Sequence, residues 1–219
     1  MRVGIFDSGR GGALAFEYFR ALAPSVDTVL YLDRENAPYG TKTADELVGL
    51  VCRDIDHLRA LGCSRVLMAC CTASTVFPLL PKEYRVNVIP IIEPVARAAI
   101  GATKNGSIAV ISTEATMHSG AFVKAIGAIS DAAVHSFASG TLVTLSELYA
   151  EGAAYDSALY RTAASELARA ALSGADTLVL GCTHFSAFYE MAERITGMTV
   201  IDSARIGAKA LHASLAAEI

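Results

Sequence analysis

The sequence predicts an α/β fold with two pseudo-symmetric domains, each a four-stranded parallel sheet flanked by helices, and a site in the cleft between them. Three observations predict this fold. The chain contains apolar runs of strand length without polar alternation, helical patterns separate those runs, and the same order recurs in both halves. Strands that are buried on both faces of a parallel sheet have such unbroken runs. A single eight-stranded sheet is the alternative.

Each half of the chain contributes four of these apolar runs. They are RVGIF (2–6), TVLYL (28–32), RVLMA (65–69), VNVIP (86–90), SIAVI (107–111), AVHSF (133–137), TLVLG (177–181) and MTVID (198–202). Apolar residues at helical spacing predict helices over 14–23, 44–61, 157–172 and 206–217. The segment IIEPVAR (91–97) is predicted to cross from the first half to the second.

Equivalent positions of the two halves are separated by a nearly constant number of residues. The separation is 105 early in each half (7 to 112) and 112 later (70 to 182). The pairs are Asp7 with Ser112, Asp27 with Ala132, Cys70 with Cys182, and Val88 with Val200. We therefore predict a duplicated unit. Its first domain is residues 1–93 plus 204–219, because the last helix is expected to pack back onto the first half, and its second domain is residues 94–203.

The predicted strands end in polar and thiol residues. These ends are Asp7-Ser8-Gly9, Cys70-Cys71-Thr72, Ser112-Thr113 and Cys182-Thr183-His184. Ligands of open parallel sheets bind beyond the carboxyl ends of the strands, so one thiol from each half is expected in a shared cleft. A thiol whose pKa is tuned towards neutrality by nearby charge acts as a general base or acid. Two thiols on opposite faces of a substrate suit the inversion of a stereocentre.

Composition argues against several classes of partner and site. The net charge is −4 with scattered Lys and Arg, and no apolar run approaches the roughly 18 residues of a membrane span, so we expect neither a nucleic-acid nor a membrane partner. RVGIF begins the chain as a strand and not as a leader, which predicts a cytoplasmic protein. Five cysteines without a Cys-x-x-Cys pair argue against a disulfide framework, and a zinc site of Cys70, Cys182 and His184 lacks an obvious fourth ligand.

The loop Asp7–Gly12 is glycine-rich, but Leu14 stands where a dinucleotide-binding Gly-x-Gly-x-x-Gly loop requires glycine. We predict a tight turn in which Asp7 caps a helix and backbone N–H groups can hold a carboxylate. His184 follows a strand-end thiol by two residues and is placed to tune it. Glu147, in the helical LSELY, is by default on a solvated helix face.

The chain resembles the glutamate racemases of bacterial peptidoglycan synthesis, in the aspartate/glutamate racemase superfamily, along nearly its whole length. The motifs are FDSGxGG (6–12), DxxxxPYGTK (33–42), ACxTAS (69–74), IEPxARAA (92–99), TEATxxSGAF (113–122), LVxLxE (142–147), LGCTH (180–184) and IDS (201–203). The resemblance implies an isomerase that uses two thiols, no cofactor and no metal. Its implied product is D-glutamate for the cell wall, and hence for cell shape.

The resemblance also implies roles for individual residues. Cys70 and Cys182 match the catalytic bases, Asp7 and His184 match accessory acid–base residues, and Glu147 matches a third. Ser8, Tyr39 and Gly40 match residues that hold the side-chain carboxylate, and Thr72 and Thr183 match those that hold the amino-acid end. Cys71 stands where the family usually has a substrate-contacting asparagine, and the chain is shorter than typical family members.

Cys71 leaves alternatives open. The substrate is glutamate, aspartate or another small acid, or the chain is a binding relative without turnover. A redox role for the adjacent Cys70 and Cys71 is disfavoured by the strain of bridging neighbouring residues. The default prediction for assembly is a homodimer, since twofold pairs are the commonest soluble oligomers.

Overall fold

The structure, a computed structural model, describes residues 1–150 and 157–216. These residues form two parallel sheets of four strands, and the single eight-stranded alternative is wrong. The first sheet has the order β2-β1-β3-β4 and the second has the equivalent order β6-β5-β7-β8. The strands are β1 Arg2–Asp7, β2 Asp27–Leu32, β3 Arg65–Met68, β4 Val88–Pro90, β5 Ser107–Ser112, β6 Ala133–Ala138, β7 Thr177–Gly181 and β8 Thr199–Asp202.

Helices flank both sheets. They are α1 Gly11–Leu22, α2 Ala44–Ala60, α3 Cys71–Ser74, α4 Lys82–Arg85, α5 Ile92–Ala102, α6 Glu114–Ser119, α7 Ala121–Gly127, α8 Gly140–Ala150, α9 Ser157–Ala171, α10 Tyr189–Thr196 and α11 Ser203–Ala216. Short 3-10 helices cover Tyr39–Thr41, Phe77–Leu79 and Thr183–Phe188. No helix in these ranges combines the length and the apolarity that crossing a bilayer requires.

Strand register repeats between the sheets as the offsets predict, with one exception. Val3 pairs with Arg65 in the first sheet, and Ile108 pairs with Thr177 in the second. Ile108 follows Val3 by the offset of 105, and Thr177 follows Arg65 by the offset of 112. In the outer strands, however, Arg2 pairs with Asp27 while Ser107 pairs with Ala133. The equivalent of Asp27 is therefore Ala133 and not Ala132. The extra residue belongs to the connection before β6, where a change of length leaves the sheet intact.

The crossover segment begins a helix, α5. Pro94 lies in its first turn, where the backbone N–H that proline lacks would have no partner within the helix. Val95, Ala96 and Ala99 of α5 pack in one buried cluster with β5 and β7 of the second sheet. The predicted boundary at 93/94 therefore lies inside this first turn.

The last helix returns to the first half of the chain. Ala204, Ala208 and Leu211 of α11 pack in a cluster with Val3 and Ile5 of β1. This packing accords with assigning residues from 204 onward to the first domain. The domain division itself stays a prediction, and residues 217–219 lie outside the described residues.

Two helices begin earlier than the sequence pattern predicts. Helix α1 begins at Gly11 and not at Leu14, and α11 begins at Ser203 and not at Ile206. The first turn of each helix contains small residues that lack the apolar periodicity on which the prediction depends. For α11, the carboxylate of buried Asp202 accepts a hydrogen bond from the Ala204 N–H at 3.0 Å and so supports the early start.

Candidate active site

A cavity of about 410 Å³ opens at the carboxyl ends of β1, β3, β5 and β7. Every residue that the sequence predicts for the site lines this cavity. They are Asp7, Ser8, Tyr39, Gly40, Cys70, Cys71, Thr72, Glu147, Cys182, Thr183 and His184. A larger groove of about 700 Å³ beside Tyr18 and Arg205 contains none of them. The roles of these residues stay predictions, but their convergence on one cavity is a property of the fold.

Cys70 lies at the junction between β3 and α3. Its thiol accepts a hydrogen bond from the Ala73 N–H at 3.4 Å, as an N-terminal helix cap, and lies 3.4 Å from the Ser8 hydroxyl. Burial raises the pKa of Cys70 to about 12, and the nearby charge of Asp7 adds to the shift. The thiol is therefore protonated at neutral pH.

Cys182 occupies the equivalent position after β7. Its sulfur lies 3.7 Å from Nδ1 of His184. Burial raises the pKa of Cys182 above its ordinary value, although the backbone N–H of His184 acts in the opposite direction. For both thiols, burial outweighs the neighbouring dipoles and moves the pKa away from neutrality, opposite to the predicted tuning by nearby charge.

Asp7 connects the two halves of the cavity. Its buried carboxylate accepts hydrogen bonds from the Gly9 N–H at 3.0 Å and from the hydroxyl of Thr183, in the second half, at 2.8 Å. Burial raises the pKa of Asp7, and His184 opposes the rise when its imidazole is protonated. The prediction that Asp7 caps α1 is wrong. The helix begins four residues later, at Gly11, and the residue at its capping position, Arg10, makes no side-chain cap.

Gly11 allows the halves to approach each other. A Cβ atom on Gly11 would lie 2.8 Å from the backbone nitrogen of His184 and would also collide with the Thr183 hydroxyl. Gly11 therefore provides room for the Thr183–His184 segment.

Glu147 belongs to the cavity wall and is bound there. Its carboxylate accepts a hydrogen bond from Nε2 of His184 at 2.6 Å and lies 3.4 Å from the guanidinium of Arg10. The default prediction of a solvated helix face is therefore incomplete, since the side chain is only 36% exposed. With Nε2–H directed at Glu147, Nδ1 of His184 is left as the acceptor that faces Cys182.

Tyr39 and Gly40 reach the cavity from the 3-10 helix before α2. The Tyr39 hydroxyl points away from it and lies 2.7 Å from both Asp33 and Asp54. A ligand contact by Tyr39 is therefore left to its backbone N–H, which lies in the first turn of this short helix.

A cluster of hydroxyl groups forms another contact between the halves. Thr72 lies 3.1 Å from the hydroxyl of Thr113 and 3.2 Å from that of Thr116. The sequence placed Thr113 at a strand end but gave it no role, and Thr116 was missed, although the TEAT motif after β5 contains both. Thr113 also lines the cavity.

Cys71 has a double environment. It lines the cavity, yet it also packs with Ile91 and Val95 in the apolar cluster beneath α5. Burial raises its pKa well above the ordinary value. Its thiol is thus held mainly by the protein interior, which is the structural alternative to a substrate contact.

Among residues 1–150 and 157–216, no group of His, Cys, Asp and Glu side chains is arranged to hold a metal ion.

Known proteins resemble this chain along most of its length. Residues 15–211 match the family model described as Asp/Glu/Hydantoin racemase. The chain is 34% identical over 202 residues to a glutamate racemase of Desulforudis audaxviator, covering 91% of this chain and 72% of the relative. It is 33% identical over 206 residues to one of Geobacter metallireducens, covering 93% and 74%.

Solved structures give the same result for the fold. The glutamate racemase isoform RacE1 of Bacillus anthracis superposes with a TM-score of 0.89 at 31% identity, covering 99% of this chain and 82% of that one. Its likeness extends over both sheets, which confirms the predicted fold class. The chain belongs to the Asp/Glu/hydantoin racemase family of isomerases.

Proposed function

We propose that the protein interconverts L- and D-glutamate without a cofactor, using Cys70 and Cys182 as the two proton-transfer groups. The observation that carries the proposal is the placement of these two buried thiols, at equivalent strand ends of the duplicated fold, around one cavity. The relatives and the RacE1 structure that bear the name glutamate racemase support the choice of substrate.

The chemistry begins with formation of a thiolate. His184 Nδ1, 3.7 Å from Cys182, is placed to take the thiol proton, and the hydrogen bond from Nε2 to Glu147 stabilises the resulting imidazolium. On the opposite side, Asp7 is the nearby carboxylate for Cys70, and its raised pKa makes it a better proton acceptor than an ordinary aspartate. The ammonium group of the substrate adds positive charge that favours either thiolate.

Inversion then takes two proton transfers. One thiolate removes the α-proton, and the electron pair of the broken C–H bond passes into the α-carboxylate. The opposite thiol donates its S–H proton to the other face of the same carbon and becomes the thiolate. Atoms and charge balance, and the reverse reaction uses the same groups in exchanged roles.

Glutamate is favoured over shorter acids by the predicted carboxylate-holding set. This set consists of Ser8, Tyr39 and Gly40, which line the cavity from the first half of the chain, as Cys70 does. All three are of the residue types that the resemblance implies. Cys71, in place of asparagine, is the feature that favours aspartate or another small acid as the second candidate.

The same proposal includes the physiological setting that the resemblance implies. We propose that the enzyme supplies D-glutamate for peptidoglycan in the cytoplasm and works as a homodimer. Sedimentation velocity of the purified protein tests the homodimer, which predicts twice the mass of the chain.

The activity is tested by circular dichroism of L- and D-glutamate and of L- and D-aspartate incubated with reduced protein and no added pyridoxal phosphate. The optical signal of both glutamate enantiomers should decay to zero, and Cys70→Ala and Cys182→Ala should each remove the activity. Cys52→Ala is the matched control, because Cys52 lies on α2 outside the cavity. Racemisation that requires pyridoxal phosphate, or that survives loss of either thiol, contradicts the proposal.

A further inference from the structure

Behind Tyr39 lie two buried carboxylates that share one hydroxyl. The Tyr39 oxygen lies 2.7 Å from Oδ2 of Asp33 and 2.7 Å from Oδ2 of Asp54. The three residues are almost fully buried, at 1%, 3% and 2% exposure. A phenol has one hydrogen, so it donates to only one of the carboxylates. The second contact needs a hydrogen of its own, and one of the two carboxyl groups must therefore be protonated.

The surroundings identify the protonated group as Asp54. Asp33 also accepts two contacts from the amide of Asn36, at 2.8 and 3.0 Å, which stabilise its negative charge. Asp54 has the Tyr39 hydroxyl as its partner among the described residues. The chain of bonds thus runs from the Asp54 O–H to the Tyr39 oxygen, and from the Tyr39 O–H to the Asp33 carboxylate.

The charges around the pair agree with this assignment. Burial raises the pKa of Asp54 to about 7 and the Asp33 charge adds to the rise, while Tyr39 and Arg53 oppose it. Burial and the same two aspartates raise the pKa of Tyr39 far above its ordinary value, so the phenol keeps its hydrogen. Tyr31 of β2, whose ring packs against His57, also lies close to both aspartates, and Glu35 lies near Tyr31.

This network fixes a part of the cavity wall. Tyr39 and Gly40 line the cavity, while Asp54 comes from the middle of α2 behind them. The ring and hydroxyl of Tyr39 are the anchor of this short 3-10 segment, since its hydroxyl bonds to both aspartates. When the shared proton is lost, two negative carboxylates face one donor, and one of them loses its hydrogen bond and repels the other.

We propose that Asp54 is a positioning residue, which holds Tyr39 and Gly40 in place for substrate through the proton that it shares with Asp33 by way of the Tyr39 hydroxyl. Loss of that proton loosens the segment and weakens substrate binding more than it slows the chemistry. The proposal rests on the proposed function for its kinetic test, because Tyr39 and Gly40 are the predicted holders of the side-chain carboxylate.

The kinetic test uses Asp54→Asn, because an amide N–H replaces the carboxyl O–H at any pH. KM and kcat for glutamate are measured from pH 6 to 9 for wild type, Asp54→Asn and Asp54→Ala. We expect equal KM for wild type and Asp54→Asn at pH 6, and at pH 9 a wild-type KM larger by about tenfold, the effect of one hydrogen bond. The kcat values of the two proteins should follow parallel pH profiles, and Asp54→Ala should raise KM at every pH.

Asp56→Asn is the matched control. Asp56 lies on the same helix, is exposed, and accepts a hydrogen bond from the Tyr84 hydroxyl at 2.8 Å. Its substitution removes the same charge without touching the cavity and should leave the pH profile of KM unchanged. Two results would overturn the proposal. One is the same pH profile of KM for wild type and Asp54→Asn, and the other is a KM of Asp54→Asn raised as much as that of Asp54→Ala.

A second measurement separates this inference from the proposed function. Because the folded-state pKa of Asp54 is raised, the stability that its proton gives is present below about pH 4 and is lost as the pH rises towards 7. Urea unfolding of wild type should show this loss, and Asp54→Asn should lack it. Absence of racemisation by wild type would defeat the proposed function, whereas equal pH dependence of unfolding in both proteins would defeat the shared proton.

Discussion

Replacing Gly11 by alanine tests the close approach of the two halves. The new Cβ would lie 2.8 Å from the backbone nitrogen of His184, whereas ordinary contacts begin at 3.4 Å. The segment Thr183–His184 must therefore move by at least about 0.6 Å, or the helix α1 must tilt away from it. Extra volume in a packed site typically costs ~1–3 kcal/mol of stability. Alanine in a helix returns ~0.5–1 kcal/mol relative to glycine, so we expect a small net loss in stability.

The expected effect on activity is larger than the effect on stability. Thr183 donates its hydroxyl to Asp7, and His184 faces Cys182, so a shift of this segment disturbs both proton-transfer sides at once. A misplacement of ~1 Å costs on the order of 100-fold in rate, which predicts a loss of about 10- to 100-fold in kcat for Gly11→Ala.

Polarimetry of glutamate racemisation and urea unfolding measure the two effects. Gly49→Ala is the matched control, because Gly49 lies in helix α2 and a Cβ added there would meet nothing within 4 Å. It should keep wild-type kcat and gain ~0.5–1 kcal/mol of stability. Gly11→Ala with wild-type kcat and KM would refute the argument that this glycine sets the distance between the halves.

Two further predictions concern other residues. Cys71→Asn should raise kcat/KM for glutamate by about tenfold, through one hydrogen bond to a charged group, and lower the free energy of unfolding by ~1–3 kcal/mol because the larger amide enters a packed cluster. Steady-state kinetics and urea unfolding check this, with Cys71→Ala as the control; no gain with Cys71→Asn would identify Cys71 as a core residue only. Hydrogen bonds from Thr103, Lys104 and Asn105 help to lower the pKa of Asp176 to about 2, so its contribution is present above about pH 4 and lost as the pH falls through 2. The stability gap between wild type and Asp176→Asn should shrink over that range in urea unfolding, and a constant gap would show that the carboxylate gives no acid-dependent stability.

Much of the fold could be predicted because its determinants are local and repeated. Unbroken apolar runs located the strands to within two residues at either end, and the offset between Cys70 and Cys182 established the equivalence of β3 and β7. Helix α5 was not recognised as a helix because Pro94 obscures its first turn in the sequence. The predicted equivalent of Asp27 was wrong by one residue, Ala132 instead of Ala133, because connection lengths are not fixed by the sheet.

The residues around the cavity could be predicted better than their electrostatic state. The residues after each strand converge because parallel strands end at one edge of a sheet. The raised pKa values of Cys70 and Cys182 depend on burial by distant parts of the chain, which a local motif does not reveal. The bonds of Asp54 and Asp33 to Tyr39 escaped prediction for the same reason, since Asp54 resembles any polar residue of an amphipathic helix.

The central claim, that separate thiols serve the two faces of the substrate, is tested most directly by proton exchange. L-Glutamate is incubated with the enzyme in deuterated water, and the α-position of product and of recovered substrate is followed by proton NMR during the first turnovers. Thiol protons exchange with solvent, so the D-glutamate formed should carry deuterium from the first measurement, while recovered L-glutamate keeps its α-proton. Early deuterium in the recovered L-glutamate, at a rate comparable to product formation, would indicate one base that serves both faces and would contradict the account.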